Sequence, residues 1–114
     1  MAARLFSLID KAKIVAYVTA SSITDIYYIA KKEKGHEKAF AFVSDLVQIV
    51  DIAGVDKNVV MNALRSEMKD FEDAIQVSAA MQETLDYIVT RNAKDFISDS
   101  INIDTPTDFL KRYT

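Results

Sequence analysis

The chain has 114 residues, a formal net charge of −3 and a hydrophobic share of 50%, values typical of one small globular domain and not of a disordered chain. It has no cysteine, which excludes disulfides, thiolate zinc sites and cysteine nucleophiles, and no block of basic residues that would indicate a broad nucleic-acid surface. Because no apolar run approaches the roughly 20 residues of a membrane helix, and the charged N-terminal stretch lacks the core of a secretory signal, we expect a cytoplasmic protein that makes no membrane contact.

The first half of the chain predicts two strands among helices. Apolar side chains recur at helical spacing in residues 2–12, which predicts a helix. Residues 13–20 are rich in β-branched and aromatic side chains, as in a buried strand. Residues 36–47 predict a further helix, and residues 47–53 a second strand.

The helix between these strands carries its own start and stop signals. Ser22 and Asp25 are three residues apart and predict a capping box, with the helix ending near Lys34 because Gly35 follows. Four aromatic residues of this region favour core and rim positions over a base-stacking platform: Tyr27, Tyr28, Phe40 and Phe42. The lone His36 is interpreted as a solvated surface residue.

The second half predicts two helices, two strands and a terminal helix. An aspartate cap opens a helix over residues 56–65, and a second helix covers residues 71–83. The short apolar segment 86–90 suits a strand buried on both faces, and residues 101–104 predict a weaker strand. Thr105, followed by proline, predicts the N-cap of a short last helix that includes Phe109, Leu110 and Tyr113.

Strands that alternate with helices predict the α/β class, with a parallel sheet covered on both faces. Ligands of such sheets bind beyond the carboxyl ends of the strands. Asp25 follows the first predicted strand, and Asn92 and Asp95 follow the third. Asp70 and Asp73 open the helix that precedes the third strand. Carboxylate and amide oxygens from these places would suit Mg²⁺ or Mn²⁺.

Each of these residues also has a purely structural interpretation. Asp70 is predicted as an N-cap, and Asp73 lies in the first helical turn, where acids are favourable. Asp95 could cap a short helical turn after Asn92, and Asp25 could serve only in its capping box. The metal site is therefore a hypothesis about the set, since each member alone has a local explanation.

Three segments resemble the PIN domain family. Residues 70–96, DFEDAIQVSAAMQETLDYIVTRNAKDF, resemble its C-terminal signature: an acid-initiated helix, a short strand ending in Thr, then Asn and Asp-Phe. Residues 101–110 resemble its closing strand and helix, and residues 13–32 its second strand and following helix. The resemblance implies a three-layer α/β/α PIN-like fold with a small, mostly parallel sheet, in a single domain over residues 1–114.

PIN domains are Mg²⁺- or Mn²⁺-dependent ribonucleases that commonly serve as VapC-type toxins and commonly dimerise. By resemblance, Asp73 matches the family's helix-borne metal ligand, and Asn92 and Asp95 match its acidic or amide positions after the later strand. All three are then metal ligands and catalytic residues. Asp70 matches an accessory acid, and Asp25 is the nearest acid to a further family position. The resemblance thus implies an RNA substrate, an antitoxin partner and a homo-oligomer.

The chain departs from the family at its start. The family opens with a central strand that ends in its principal metal-binding aspartate, and residues 2–12 match the helix that follows later. We therefore expect a PIN-like sheet in which the first, central strand is missing, as in an N-terminally truncated domain. The strand at 13–20 would then pair with 86–90, or a partner chain would fill the gap, or dimerisation would cover the apolar faces.

Three functions remain open from the sequence. The first is a PIN-type endoribonuclease that cleaves phosphodiester bonds through a Mg/Mn carboxylate site. The second is a catalytically impaired PIN remnant that acts as a protein-interaction module. The third is an unrelated α/β domain in which every acid named above is a cap.

Overall fold

The computed structural model describes residues 7–11, 13–96 and 101–112. Residues 7–10 are helical, and the rest of the helix predicted over 2–12 lies outside the described residues, as does Tyr113. The elements that follow alternate as predicted for the α/β class. In order they are β1 (Tyr17–Thr19), α1 (Ala20–Lys34), α2 (His36–Ile49), β2 (Asp51–Ala53), α3 (Lys57–Arg65), α4 (Phe71–Gln82), β3 (Tyr87–Val89), a 3₁₀ turn (Ala93–Asp95), β4 (Asn102–Asp104) and α5 (Pro106–Arg112).

The described strands form two parallel pairs. β1 pairs with β2 in the register Tyr17 to Asp51, and β3 pairs with β4 in the register Tyr87 to Asn102. Each pair is a two-stranded sheet, so the alternative in which residues 13–20 pair with 86–90 is wrong for the described strands. The parallel direction confirms the prediction drawn from alternating strands and helices.

The first two strands are shorter than predicted, and a neighbouring helix takes up one end of each. At the start of the first strand, residues 13–16 are neither strand nor helix. α2 continues to Ile49, since its apolar residues keep helical spacing and bury Ala39 and Leu46. Only Asp51–Ala53 is then left for β2. At the other strand, Ala20 is already the first residue of α1.

The cap of α1 is Thr19 and not Ser22, so the predicted capping box is wrong. The Thr19 hydroxyl accepts a hydrogen bond from the backbone N–H of Ser22 at 3.2 Å. The helix therefore begins before Ser22, and Asp25 lies in its second turn, where it is exposed and cannot complete a cap. Gly35 ends α1 as predicted, with its N–H bonded to the carbonyl of Lys31 at 2.9 Å.

α3 and α4 are capped as predicted and are joined by side chains. Asp56 accepts from the Val59 N–H at 3.0 Å and from the Gln82 amide, at the far end of α4, at 3.2 Å. The buried Ser78 hydroxyl of α4 donates to the Val59 carbonyl at 2.8 Å. These bonds fix α3 beside α4, and the last of them satisfies a hydroxyl that burial would otherwise leave unpaired.

α4 is the most buried helix of the described chain. Its buried residues are mostly small, which permits close packing on both sides: Ala74, Ile75, Val77, Ser78, Ala79 and Ala80. Val77 and Ala80 form a core cluster with Ile101, against which Ile88 of β3 and Ile103 of β4 pack. The β3–β4 pair is therefore held to α4 by apolar contacts.

The aromatic residues of α1 and α2 do not lie in the core, contrary to prediction. All residues of α1 are described and none is buried. Tyr28 and Phe40 are each 59% exposed and Phe42 is 46% exposed. Only Tyr27 is half-buried, at a rim position.

The chain folds as two compact units. Residues 8–54 form one unit, which holds β1, β2, α1 and α2. The other unit consists mainly of residues 55–114 and holds the remaining labelled elements. That residues 1–114 form one domain stays a prediction. In the described part of the chain, no helix combines the length and the apolar character needed to cross a membrane.

Gly35 is the position where the α1–α2 turn depends on glycine. Its φ of 88° and ψ of 170° lie in a region that is essentially restricted to glycine. We expect Gly35→Ala to lower the free energy of unfolding by about 1–3 kcal/mol in urea denaturation, because the alanine would be strained. Gly54 lacks a positive φ and has open space at its Cβ, so Gly54→Ala is the control and should be neutral or slightly stabilising. Equal effects of the two changes would contradict the assigned turn.

Asp56 should make stability depend on acid pH. The hydrogen bond from the Val59 N–H is the main cause that lowers the pKa of Asp56 below its usual 3.8. Because the folded-state pKa is depressed, the stabilisation is present above the unfolded pKa and is lost as pH falls through the folded pKa. Asp56→Asn keeps the cap but does not titrate. The melting temperature of the wild type should therefore fall relative to that of Asp56→Asn below about pH 4. A difference independent of pH would contradict this assignment.

Candidate metal centre

The first turn of α4 brings together two of the predicted site residues. Asp70 is the N-cap, and its Oδ1 accepts a hydrogen bond from the Asp73 N–H at 2.9 Å. Asp70 is exposed and Asp73 is half-buried. The predicted cap is thus confirmed for Asp70, and Asp73 lies in the first helical turn, where acidic side chains stabilise a helix.

The loop after β3 carries the other predicted residues of this unit. The Thr90 N–H donates to the Asp104 carbonyl at 2.9 Å and so extends the pairing of β3 with β4. The Asn92 N–H donates to the Thr90 hydroxyl at 3.3 Å. Asn92 is exposed and its side chain does not cap the 3₁₀ turn that follows. Its amide is therefore not committed to a local cap.

Both ends of this loop are held by the core. Thr90 is fixed to β4, and Phe96 packs against the cluster of Val77, Ala80 and Ile101. The loop therefore joins the same apolar core that fixes α4, the helix that carries Asp73. Asp95 belongs to the 3₁₀ turn, and its side chain lies outside the described part of the structure.

Asp104 is an acid at a strand end that the sequence reasoning missed. It ends β4 opposite Val89 and is buried, and its Oδ2 accepts from the Arg112 Nε at 2.9 Å. The Arg112 guanidinium also lies 6.0 Å from the centre of the Tyr87 ring. Its position at the carboxyl end of a strand could have identified Asp104 as a candidate site residue. Its ion pair with Arg112, however, gives it a structural role, because this pair holds α5 to β4.

Asp25 belongs to the other compact unit, residues 8–54, where it is exposed on α1. Among the described side chains, no group of three or more histidine, aspartate and glutamate residues could hold a metal ion. Asp70 and Asp73 share a helical turn, and Thr90 and Asn92 share a loop. The full set of Asp73, Asn92 and Asp95 stays a prediction, since the Asp95 side chain is not described.

Comparison with known proteins gives one sequence family and one fold. The family described as PIN domain matches residues 1–94. The crystal structure of DNA-bound VapBC from Salmonella typhimurium contains a chain that superimposes with a TM-score of 0.62 at 19% identity. The alignment covers 77% of this chain and 74% of that chain, and it shows a shared fold. No protein of curated function matches.

Substitutions of Asp70 separate capping from charge. Asp70→Ala removes the acceptor of the Asp73 N–H and should lower the free energy of unfolding by about 0.5–2 kcal/mol in urea denaturation. Asp70→Asn keeps an equivalent acceptor and should change it by much less. If Asn destabilised as much as Ala, the carboxylate charge and not the cap would be the main contribution of this residue.

Proposed function

Since this chain belongs to the PIN domain family and has the PIN-type α/β fold, we propose that it is a VapC-type, metal-dependent endoribonuclease and the toxin of a toxin–antitoxin pair. The observation that carries the proposal is local. α4 carries the acids Asp70 and Asp73, and the loop after β3 carries the amide of Asn92. Phe96, which follows that loop, packs against the apolar cluster that includes Val77 and Ala80 of α4.

The donor set has the chemistry that the proposed ion requires. Asp73, Asn92 and Asp95 would hold Mg²⁺ or Mn²⁺, both of which prefer hard oxygen ligands. Asp70 and Asp25 are accessory candidates. When bound, such an ion lowers the pKa of its water and offsets the charge of the phosphodiester.

The chain's own residues would orient these groups in advance. Asp73 is half-buried and lies in a turn whose backbone Asp70 already fixes. The Thr90 hydroxyl holds the backbone of Asn92, which restricts where the amide can go. Side chains restricted before binding lose less conformational entropy when they engage a ligand.

RNA binding by a chain of net charge −3 needs local compensation. An acidic site repels the phosphates of RNA. A divalent cation held by Asp73, Asn92 and Asp95 would give the site a local positive charge and so attract them. We therefore expect RNA cleavage to depend strictly on the metal, and cleavage to slow as salt is raised because the remaining contacts are electrostatic.

The alternative function is a PIN module that binds protein without cleaving RNA. Exposed apolar side chains favour it: Tyr28, Ile29 and Phe40 in one unit, and Leu64 and Phe71 in the other, are each at least 51% exposed. Where such groups are contiguous, they are typical of interaction surfaces. An antitoxin-like protein or a second copy would be the partner, in the cytoplasm in either case.

Asp73→Asn tests the nuclease directly. With Mn²⁺ and single-stranded RNA, we expect the cleavage rate to fall by at least about a hundredfold, since the loss of a ligand carboxylate weakens metal binding more than the loss of an outer-sphere group does. Asp45→Asn, which removes an exposed acid of α2, is the matched control and should leave the rate unchanged.

Two results would decide against the nuclease. One is equal cleavage by the wild type and Asp73→Asn. The other is a calorimetric titration in which Mn²⁺ binds the wild type and Asp73→Asn alike, which would favour the protein-interaction module.

A further inference from the structure

The α1–α2 turn presents a group of aromatic rings to solvent. This aromatic patch consists of Tyr27, Tyr28, His36 and Phe40. The ring of Tyr27 lies 5.1 Å from that of Tyr28 and 5.6 Å from that of Phe40, and the His36 ring lies 4.4 Å from Phe40. Tyr28 and Phe40 are each 59% exposed. These two side chains are thus in part available to a ligand, while the rings of the patch contact one another.

The patch is held in place across the turn. The Tyr27 hydroxyl and Nδ1 of His36 are 2.6 Å apart, which bonds α1 to the first residue of α2. Gly35 between them takes a glycine-restricted conformation. Rings fixed in this way would lose little freedom when a flat ligand packs on them.

Positive charge is concentrated around the same turn. Residues 31–38 carry four lysines and two glutamates, a local charge of +2 in a chain whose net charge is −3. Lys31 Nζ lies 6.0 Å from the centre of the Tyr27 ring. Lys34 and Lys38 line a groove on the same hairpin together with Phe42. Glu33 also lines that groove, which contains none of the four patch residues, so Lys31 is the cation that the structure places beside a ring of the patch.

We propose that the aromatic patch is a stacking site for single-stranded RNA. Single strands are bound where bases stack on exposed aromatic rings while nearby cations meet the phosphates, and both components occur here. A protein interface would deplete lysine near its centre, whereas Lys31 lies against a ring of this patch. The inference rests on the proposed function in that it names a second contact for the same substrate.

Tyr28 is the residue that tests stacking most cleanly. It is exposed on α1 and contacts Tyr27 at its edge, so its replacement should not unfold the chain. Tyr28→Leu keeps an apolar side chain but removes the ring, and Tyr28→Phe keeps the ring but removes the hydroxyl. Phe71→Leu, at a 51% exposed position outside the patch, is the matched control.

The experiment is fluorescence anisotropy of the full chain with a labelled ten-nucleotide oligouridine in EDTA at low salt. We expect Tyr28→Leu to weaken binding by about fivefold or more, since stacking on one ring has at least that value, and we expect Tyr28→Phe and Phe71→Leu to bind as the wild type does. Circular dichroism checks that each variant is folded.

Three results would overturn the inference. They are no binding by the wild type, equal binding by Tyr28→Leu with self-association also unchanged, and equal binding by Tyr28→Leu with loss of self-association in sedimentation. The last result would assign the patch to a second copy of the chain. The binding assay contains EDTA and therefore does not depend on the metal site. If the chain bound RNA in this assay but did not cleave RNA with Mn²⁺, the proposed function alone would be refuted. If it cleaved RNA but Tyr28→Leu bound RNA as the wild type does, this inference alone would be refuted.

Discussion

The burial of α4 is the constraint on which the rest of the described site depends. Its small buried residues let β3, β4 and Phe96 pack closely, and Ser78 ties it to α3. Asp73 lies at the exposed beginning of this buried helix, and the loop bearing Asn92 is anchored to the same core. A change that loosened α4 would therefore displace both candidate donors together, before any ligand chemistry is considered.

The sequence predicted features set by local chemistry and missed features set by competition between elements. Asp56, Asp70 and Thr105 cap their helices as predicted, because an acceptor three residues before a free N–H is a local signal. Thr19, and not Ser22, is the N-cap of α1, because the helix begins earlier than the strand pattern predicted. The exposure of Phe40 could not be predicted, since the apolar pattern of a helix indicates core positions whether or not another element covers them.

The candidate site shows the same limit. The spacing of Asp70 and Asp73 predicted that they share a helical turn, and the strand pattern predicted that Asn92 comes after β3. The ion pair between the buried Asp104 and the exposed Arg112 depends on where α5 lies against β4, which no spacing rule supplies.

The central claim is that Asp73, Asn92 and Asp95 converge on one divalent ion. Paramagnetic broadening by Mn²⁺ in the amide NMR spectrum tests this most directly, because only nuclei near the ion lose their signals. We predict that substoichiometric Mn²⁺ removes the signals of Asp73, Asn92 and Asp95 together, and that excess Mg²⁺ restores them. Broadening of one of these signals without the others, or only of signals elsewhere, would contradict the claim.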